Sequence, residues 1–270
     1  MILGSGTPNP DPERAGSSVA VVDGASWLMV DCGRAATQRA LSAGLDLTTV
    51  VAVLITHHHS DHLSDLATLA TTRWCAGATT PLTVVAPTGP ATTFAGTCLD
   101  AFADQAFHHQ APASGGSRPS IEVVAFDASA EVTEVLDADG WSGSSVLVDH
   151  HPVKPAVGYR IQRGGIRVVI SGDTTVCDGI RLLADGANVL VHEALLSQRV
   201  SVSLLDWNAS ARSVGELAAA TQPQTLIITH LIPSPTTADD EQAYLDEVRE
   251  GGFAGPTLVA HDLLRLDSVG

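Results

Sequence analysis

The sequence predicts an α/β protein in which two β-sheets pack face to face with helices outside. Three observations carry this reading. Short apolar, β-branched runs alternate with segments of helical spacing along the chain. The pattern after residue 168 resembles the first half again, so each half supplies several strands followed by βα units. No linker or compositional break separates the halves, and residues 1–270 read as a single domain.

The elements follow in order. Residues 18–23 and 26–31 read as two strands joined at Asp23-Gly24. Residues 34–43 have helical spacing and stop at Gly44. The apolar run 50–55 predicts a strand covered on both faces. Apolar positions 63, 66, 69, 70 and 74 predict a helix over 63–75, and 82–86 a further strand. A helix is expected from about residue 91 to Phe107, leading into His108-His109 and a mobile loop at Ser114-Gly115-Gly116-Ser117. Three or more strands are expected within 121–171. Beyond them come a helix over 178–184, a strand over 187–191, a helix over 209–220 and a strand over 225–229 that ends at His230.

Composition narrows the partners. The chain is 44% hydrophobic, too apolar for a disordered polymer. Its 14 Lys+Arg against 30 Asp+Glu give a net charge of −16, which opposes general attraction to nucleic acid or anionic membrane. No run approaches the ~20 apolar residues of a membrane span, and Met1-Ile2-Leu3-Gly4-Ser5-Gly6 lacks the pattern of a signal peptide. Cys32, Cys75, Cys98 and Cys177 stand singly, as in a reduced compartment. A cytoplasmic location is therefore expected.

The chemistry concentrates in histidine. Of 11 histidines, four lie in Thr56-His57-His58-His59-Ser60-Asp61-His62, where a buried strand gives way to a helix. Histidines two apart share one side of an extended segment, and Asp61 and His62 face back from the next helix. Three imidazoles and a carboxylate suit zinc, iron or manganese. Four further strand ends carry similar residues, at Asp149-His150-His151, Ser171-Gly172-Asp173, His192-Glu193 and Thr229-His230. Neighbouring parallel strands would bring these ends to one edge. The alternation Val146, Val148, His150 favours His150 over His151 as the inward residue. His58 is expected to be exposed, and His108, His109 and His261 belong to no motif.

His57-x-His59-x-Asp61-His62 resembles the hallmark of the metallo-β-lactamase superfamily. The likeness extends over nearly the whole chain, through Leu3-Gly4-Ser5-Gly6-Thr7-Pro8, Asp31-Cys32-Gly33, Ser171-Gly172-Asp173-Thr174, His192-Glu193-Ala194 and Thr229-His230. With Pro155-Ala156-Val157-Gly158-Tyr159-Arg160 it points to the branch containing ribonuclease Z and bacterial arylsulfatase-like hydrolases. The resemblance implies a four-layer αββα sandwich and two divalent metal ions, zinc first, with manganese or iron as alternatives. It implies that His57, His59 and His150 hold one metal, Asp61, His62 and His230 the other, and that Asp173 bridges them. A hydroxide between the metals would then attack the substrate, with Asp61 also accepting its hydrogen bond. His192, Glu193 and Asp31 are expected to orient the metal-binding imidazoles.

Two departures from ribonuclease Z bear on the substrate. Asn208 stands where that family has a catalytic histidine, either donating a hydrogen bond to an oxyanion or only capping the next helix. The stretch 91–145 holds a single basic residue, Arg118, so the basic arm that grips tRNA is missing. Thr7-Pro8-Asn9-Pro10-Asp11-Pro12 and Arg73-Trp74-Cys75-Ala76-Gly77 lean toward the arylsulfatase-like side, and Trp74 either lines the substrate mouth or packs in the core. The expectation is a dinuclear hydrolase of small-molecule esters (aryl sulfate, phosphodiester or carboxylic ester), with nucleic acid an unlikely partner, no membrane, and a homodimer as in relatives. The alternatives are a ribonuclease Z-like phosphodiesterase acting on tRNA 3′ ends, and a non-catalytic metal-dependent ligand-binding module.

Overall fold

The computed structural model describes residues 1–102 and 118–267. In strand order, the first sheet contains β1 (Ile2–Gly4), β2 (Ser18–Asp23), β3 (Ser26–Val30), β4 (Val50–Leu54), β5 (Leu82–Pro87) and β6 (Ile121–Phe126). The second runs β13 (Thr257–Val259), β12 (Thr225–Ile232), β11 (Val189–Leu195), β10 (Ile166–Ile170), β9 (Val157–Arg163), β8 (Trp141–Leu147) and β7 (Thr133–Ala138).

The two-residue period of the strands builds the layers. Leu28, Val30, Ala52, Leu54 and Val85 turn inward and meet Val157, Ile161, Ile170, Val191 and Ile227 of the other sheet. The alternate residues Met29, Val53, Val84 and Ala86 face outward onto α1 (Ala36–Ser42) and α3 (Leu66–Cys75). On the other side Val169, Leu190, Leu226 and Ile228 meet α5 (Asp178–Ala184), α6 (Ala211–Thr221) and α7 (Ala238–Glu250). Three apolar layers thus separate four layers of secondary structure, the αββα sandwich. α2 (Ser60–Leu63) and α4 (Pro90–Thr97) complete the helices used below.

Strand direction places the site. β3 to β6 run parallel, as do β10 to β13. β9 is antiparallel to both its neighbours, so β8 runs in the sense of β10. The carboxyl ends of β8, β10, β11 and β12 therefore share one edge of their sheet, as the sequence pattern requires.

Several details differ from expectation. The helix predicted over 63–75 breaks into α2 and α3, because the Asp65 N–H donates to the Cys32 carbonyl (3.0 Å) and the Asp65 carboxylate accepts from the Thr37 N–H (2.7 Å). β12 does not stop before His230 but continues to Ile232, with His230 at φ 49° and a register shift opposite. α7 was not anticipated, although Thr237 and Asp240 form a capping box at its start. The helix expected from about residue 91 to Phe107 ends at Thr97 as α4, and residues 103–117, with His108, His109 and Ser114-Gly115-Gly116-Ser117, lie outside the described residues. Among the described residues no helix is long and apolar enough to cross a membrane.

Candidate metal centre

The strand β4 ends at Leu54, and the chain stays extended until α2 begins at Ser60. This carries His57 and His59 over the sheet edge and returns Asp61 and His62 on the short helix, where Asp61 also sits favourably in the first turn. Two close approaches make the edge compact. A Cβ on Gly33 would lie 1.9 Å from the Asp61 carbonyl oxygen, and one on Gly172 would lie 2.8 Å from the Thr56 Cβ. Gly172 also adopts φ 62°, which glycine tolerates without cost. The loop carrying Asp173 can therefore press against the loop carrying the histidines.

The donors converge on Asp173. Its carboxylate lies 3.3 Å from His62 Nε2, 3.5 Å from His230 Nε2, and 3.8 Å from both His57 Nε2 and His150 Nε2. Asp61 Oδ2 is 3.2 Å from His230 Nε2 and 3.5 Å from His62 Nε2. His59 Nδ1 faces His150 Nε2 at 3.4 Å. Three overlapping donor groups result: His57, His59, His150 and Asp173; Asp61, His62 and His230; and Asp173, Glu193 and His230. Donors around a tetrahedral ion bound at roughly 2.0–2.1 Å stand about 3.3 Å apart, so these separations match a shared cation better than direct hydrogen bonds. His57 Nε2 and His62 Nε2, which face the Asp173 carboxylate, are buried without a hydrogen-bond partner among the described residues. Such orphaned atoms are what a bound cation would satisfy.

Electrostatics agree with that chemistry. Burial holds the His57 and His59 imidazoles below their ordinary pKa, keeping them neutral. Burial pushes Asp61 and Asp173 upward, but the neighbouring His230 and His62 outweigh it and hold both carboxylates down. His62 is raised despite burial by Asp173 and Asp31. Neutral imidazoles and ionised carboxylates are the forms that ligate metals, so His62, unlike His57 and His59, would release a proton when a cation binds.

The imidazoles are held from behind. Asp31 Oδ2 takes His62 Nδ1 at 2.7 Å, while Asp31 also accepts from the Thr56 N–H and hydroxyl. Thr56 Oγ1 lies 3.0 Å from His57 Nδ1, and the Trp207 carbonyl accepts from His150 Nδ1 at 2.9 Å. The sequence pointed to Asp31 but not to Thr56 or Trp207, since a backbone carbonyl leaves no trace in a residue string. Glu193 does not orient an imidazole. Its Oε1 accepts the Thr174 N–H at 2.6 Å and fixes the loop after Asp173, while Oε2, beside Asp173 and His230, is unpartnered. Burial, then the Asp173 charge, pushes the Glu193 pKa well up. His192 is buried, bonds the Glu193 carbonyl and joins none of the donor groups.

Other expectations resolve at these positions. His150 is buried and His151 exposed, so the strand alternation is decisive. His58 is half-buried rather than exposed, with Nδ1 shielded from solvent and unpartnered. Trp74 is buried, which removes it from the substrate mouth. Asn208 does not cap α6, because Ser210 does, accepting from the Ser213 N–H at 3.1 Å. The Asn208 amide donates instead to the Leu204 carbonyl at 3.1 Å.

A family model for the metallo-beta-lactamase superfamily matches residues 11–206. The chain belongs to this superfamily. It is a metal-dependent hydrolase of the metallo-β-lactamase fold. Among curated relatives, ribonuclease Z of Mycolicibacterium paratuberculosis is 35% identical over 277 residues, covering 98% of this chain and 96% of that one. Ribonuclease Z of Mycobacterium bovis matches at the same identity and coverage. Among solved structures, the metallo-β-lactamase fold protein YhfI of Bacillus subtilis superimposes with a TM-score of 0.72 at 19% identity, covering 97% and 95% of the two chains. The short form of human tRNase Z gives a TM-score of 0.68 at 17% identity, covering 98% and 96%.

These relatives overturn one expectation. A net charge of −16 and a stretch 91–145 with a single basic residue argue against a nucleic-acid partner. Proteins named ribonuclease Z share 35% of their residues with nearly this entire metallo-β-lactamase-fold chain. The physical error lies in scale. Total charge governs long-range attraction, which salt screens within about 10 Å, whereas the field at a buried site comes from the groups lining it.

Proposed function

We propose that this protein is a ribonuclease Z-like phosphodiesterase that cleaves precursor RNA at a tRNA 3′ end, with residues 1–270 acting as one domain. The observation that carries this reading is 35% identity to ribonuclease Z across 98% of the chain, in a protein whose strand ends bring seven metal-type donors together. His57, His59 and His150 would hold one divalent cation, Asp61, His62 and His230 the second, and Asp173 would stand between them. Zinc suits this nitrogen and oxygen set, and manganese or iron would also fit. When bound, the ions supply Lewis acidity and lower the pKa of the attacking water.

The chain's own residues do the rest. Asp31, Thr56 and the Trp207 carbonyl fix the tautomers and aim of His62, His57 and His150. The unpartnered Oδ1 of Asp61 can accept a proton from the attacking water. Asn208 has no titratable proton, and its amide is turned toward Leu204. Glu193 holds the Thr174 N–H and so steadies the loop that carries Asp173.

The test is cleavage of a precursor tRNA carrying a 3′ trailer, run beside a nitrophenyl phosphodiester, an aryl sulfate and a carboxylic ester. Enzyme loaded with Zn²⁺ or Mn²⁺ should cut at the trailer junction, and Asp173→Ala should not. Turnover confined to the sulfate or carboxylic ester would replace this reading by a small-ester hydrolase. Tight binding of a small molecule with no turnover of any substrate would replace it by a binding module.

A further inference from the structure

The four tryptophans divide sharply. Trp27, Trp74 and Trp141 are 1%, 3% and 1% exposed and belong to the interior. Trp207 is partly exposed and stands beside the donor cluster. Its ring centre lies 6.3 Å from that of His150, and the two planes are tilted by only 30°. The indole N–H donates to the Ser203 carbonyl, and the backbone carbonyl of Trp207 accepts from His150. Nearby in the same loop Val202 is 79% exposed. The loop therefore presents a partly exposed aromatic face beside His150, at the rim of the donor cluster.

Charge makes such a face important. Seven of the 14 cationic side chains, Arg14, Arg39, Arg163, Arg199, Arg212, Arg249 and Arg265, are paired with carboxylates among the described residues. Phosphate neutralisation is the usual source of affinity for RNA, and these seven side chains are already engaged. Stacking of unpaired bases on aromatic rings needs no cation and tolerates any base.

We propose that Trp207 is the platform on which an unpaired nucleobase next to the scissile phosphodiester stacks. The proposal rests on the ribonuclease reading above and adds the feature of the RNA that is recognised, a single-stranded nucleotide beside the cut. Substitution at Trp207 leaves the main-chain carbonyl that holds His150 in place, so a binding role and a positioning role can be separated.

The experiment uses the metal-loaded enzyme and a precursor tRNA, natural or carrying one abasic residue at either nucleotide flanking the cut. Trp207→Ala should raise KM for the natural RNA about tenfold, the scale of one stacked base, with kcat changed less than about twofold. Trp207→Phe should restore most of the loss. On one of the two abasic RNAs the wild type should show the same raised KM, and Trp207→Ala should add nothing. Equal losses on all three RNAs, or a fall in kcat together with metal content, would assign Trp207 to holding His150 and overturn the proposal. If the wild type cleaves no RNA, the ribonuclease reading fails by itself, and the platform is read by fluorescence. Adenosine monophosphate should then quench the emission of the wild type but not of Trp207→Phe, and equal quenching of both would overturn it.

Discussion

Asp31 Oδ2 lies 2.7 Å from Nδ1 of His62, and the same carboxylate accepts the N–H and hydroxyl of Thr56. One side chain at the end of β3 thus fixes one histidine directly and, through Thr56 Oγ1, a second at His57. Asp31 itself holds φ 59°, an uncommon backbone state for a non-glycine residue. Asp31→Asn should lower metal affinity about 10–100-fold while leaving the fold intact. Metal titration monitored by mass spectrometry, beside circular dichroism, checks both parts. Unchanged affinity would mean that the His62 contact does not support metal binding.

Adjacent histidines give a cleaner contrast. His150→Ala should remove about one metal per chain and most of the activity, whereas His151→Ala, altering an exposed residue, should change neither. Metal content by elemental analysis decides between them. The reverse ranking would displace His150 from the centre.

Gly33 should tolerate no side chain. A Cβ there falls 1.9 Å from the Asp61 carbonyl oxygen, so Gly33→Ala must displace the Asp61-His62 turn. Activity should fall at least 100-fold, since misplacement by about 1 Å costs that much. Gly96→Ala, in α4 with nothing within 4 Å, should be neutral or slightly stabilising and serves as the control.

Buried His192 predicts a pH dependence of stability in the metal-free protein. Burial lowers its pKa from 6.5 to about 4, so the folded state keeps the imidazole neutral while the unfolded chain takes up a proton. Its contribution is complete above pH ~6.5, is lost as pH falls toward ~4, and changes no further below that. His192→Gln should flatten this window in denaturant titrations at fixed pH steps. An unaltered slope would place the acid sensitivity elsewhere.

Chelation should destabilise the protein, because removing the ions leaves orphaned buried donors and mutually repelling carboxylates. The thermal midpoint should drop on treatment with a chelator and recover with Zn²⁺ or Mn²⁺. Asp173→Ala should show little further response to either.

Much of this was legible in the residues. The apolar runs 26–31, 50–55 and 225–229 read directly as strands, because a buried strand needs apolar residues on one or both faces whatever lies beyond it. The donor residues were legible for a related reason: only metals reward several imidazoles and carboxylates at strand ends. The break at Ser64-Asp65 was not legible, since it depends on Cys32 and Thr37, about thirty positions away. Nor was the Trp207 carbonyl, as every residue carries one. Charge misled about RNA because a sum over the chain has no position in space.

The amino-acid sequence alone determined the two-sheet architecture, the family resemblance and the set of candidate donors, because periodicity and residue chemistry are local properties. Only the tertiary structure decided that Asp173 stands among four imidazoles, that His150 rather than His151 turns inward, that Ser210 rather than Asn208 caps α6, and that Trp207 is the tryptophan left at the rim. Those outcomes depend on distances between segments far apart in the chain, and such distances exist only once the two sheets have packed.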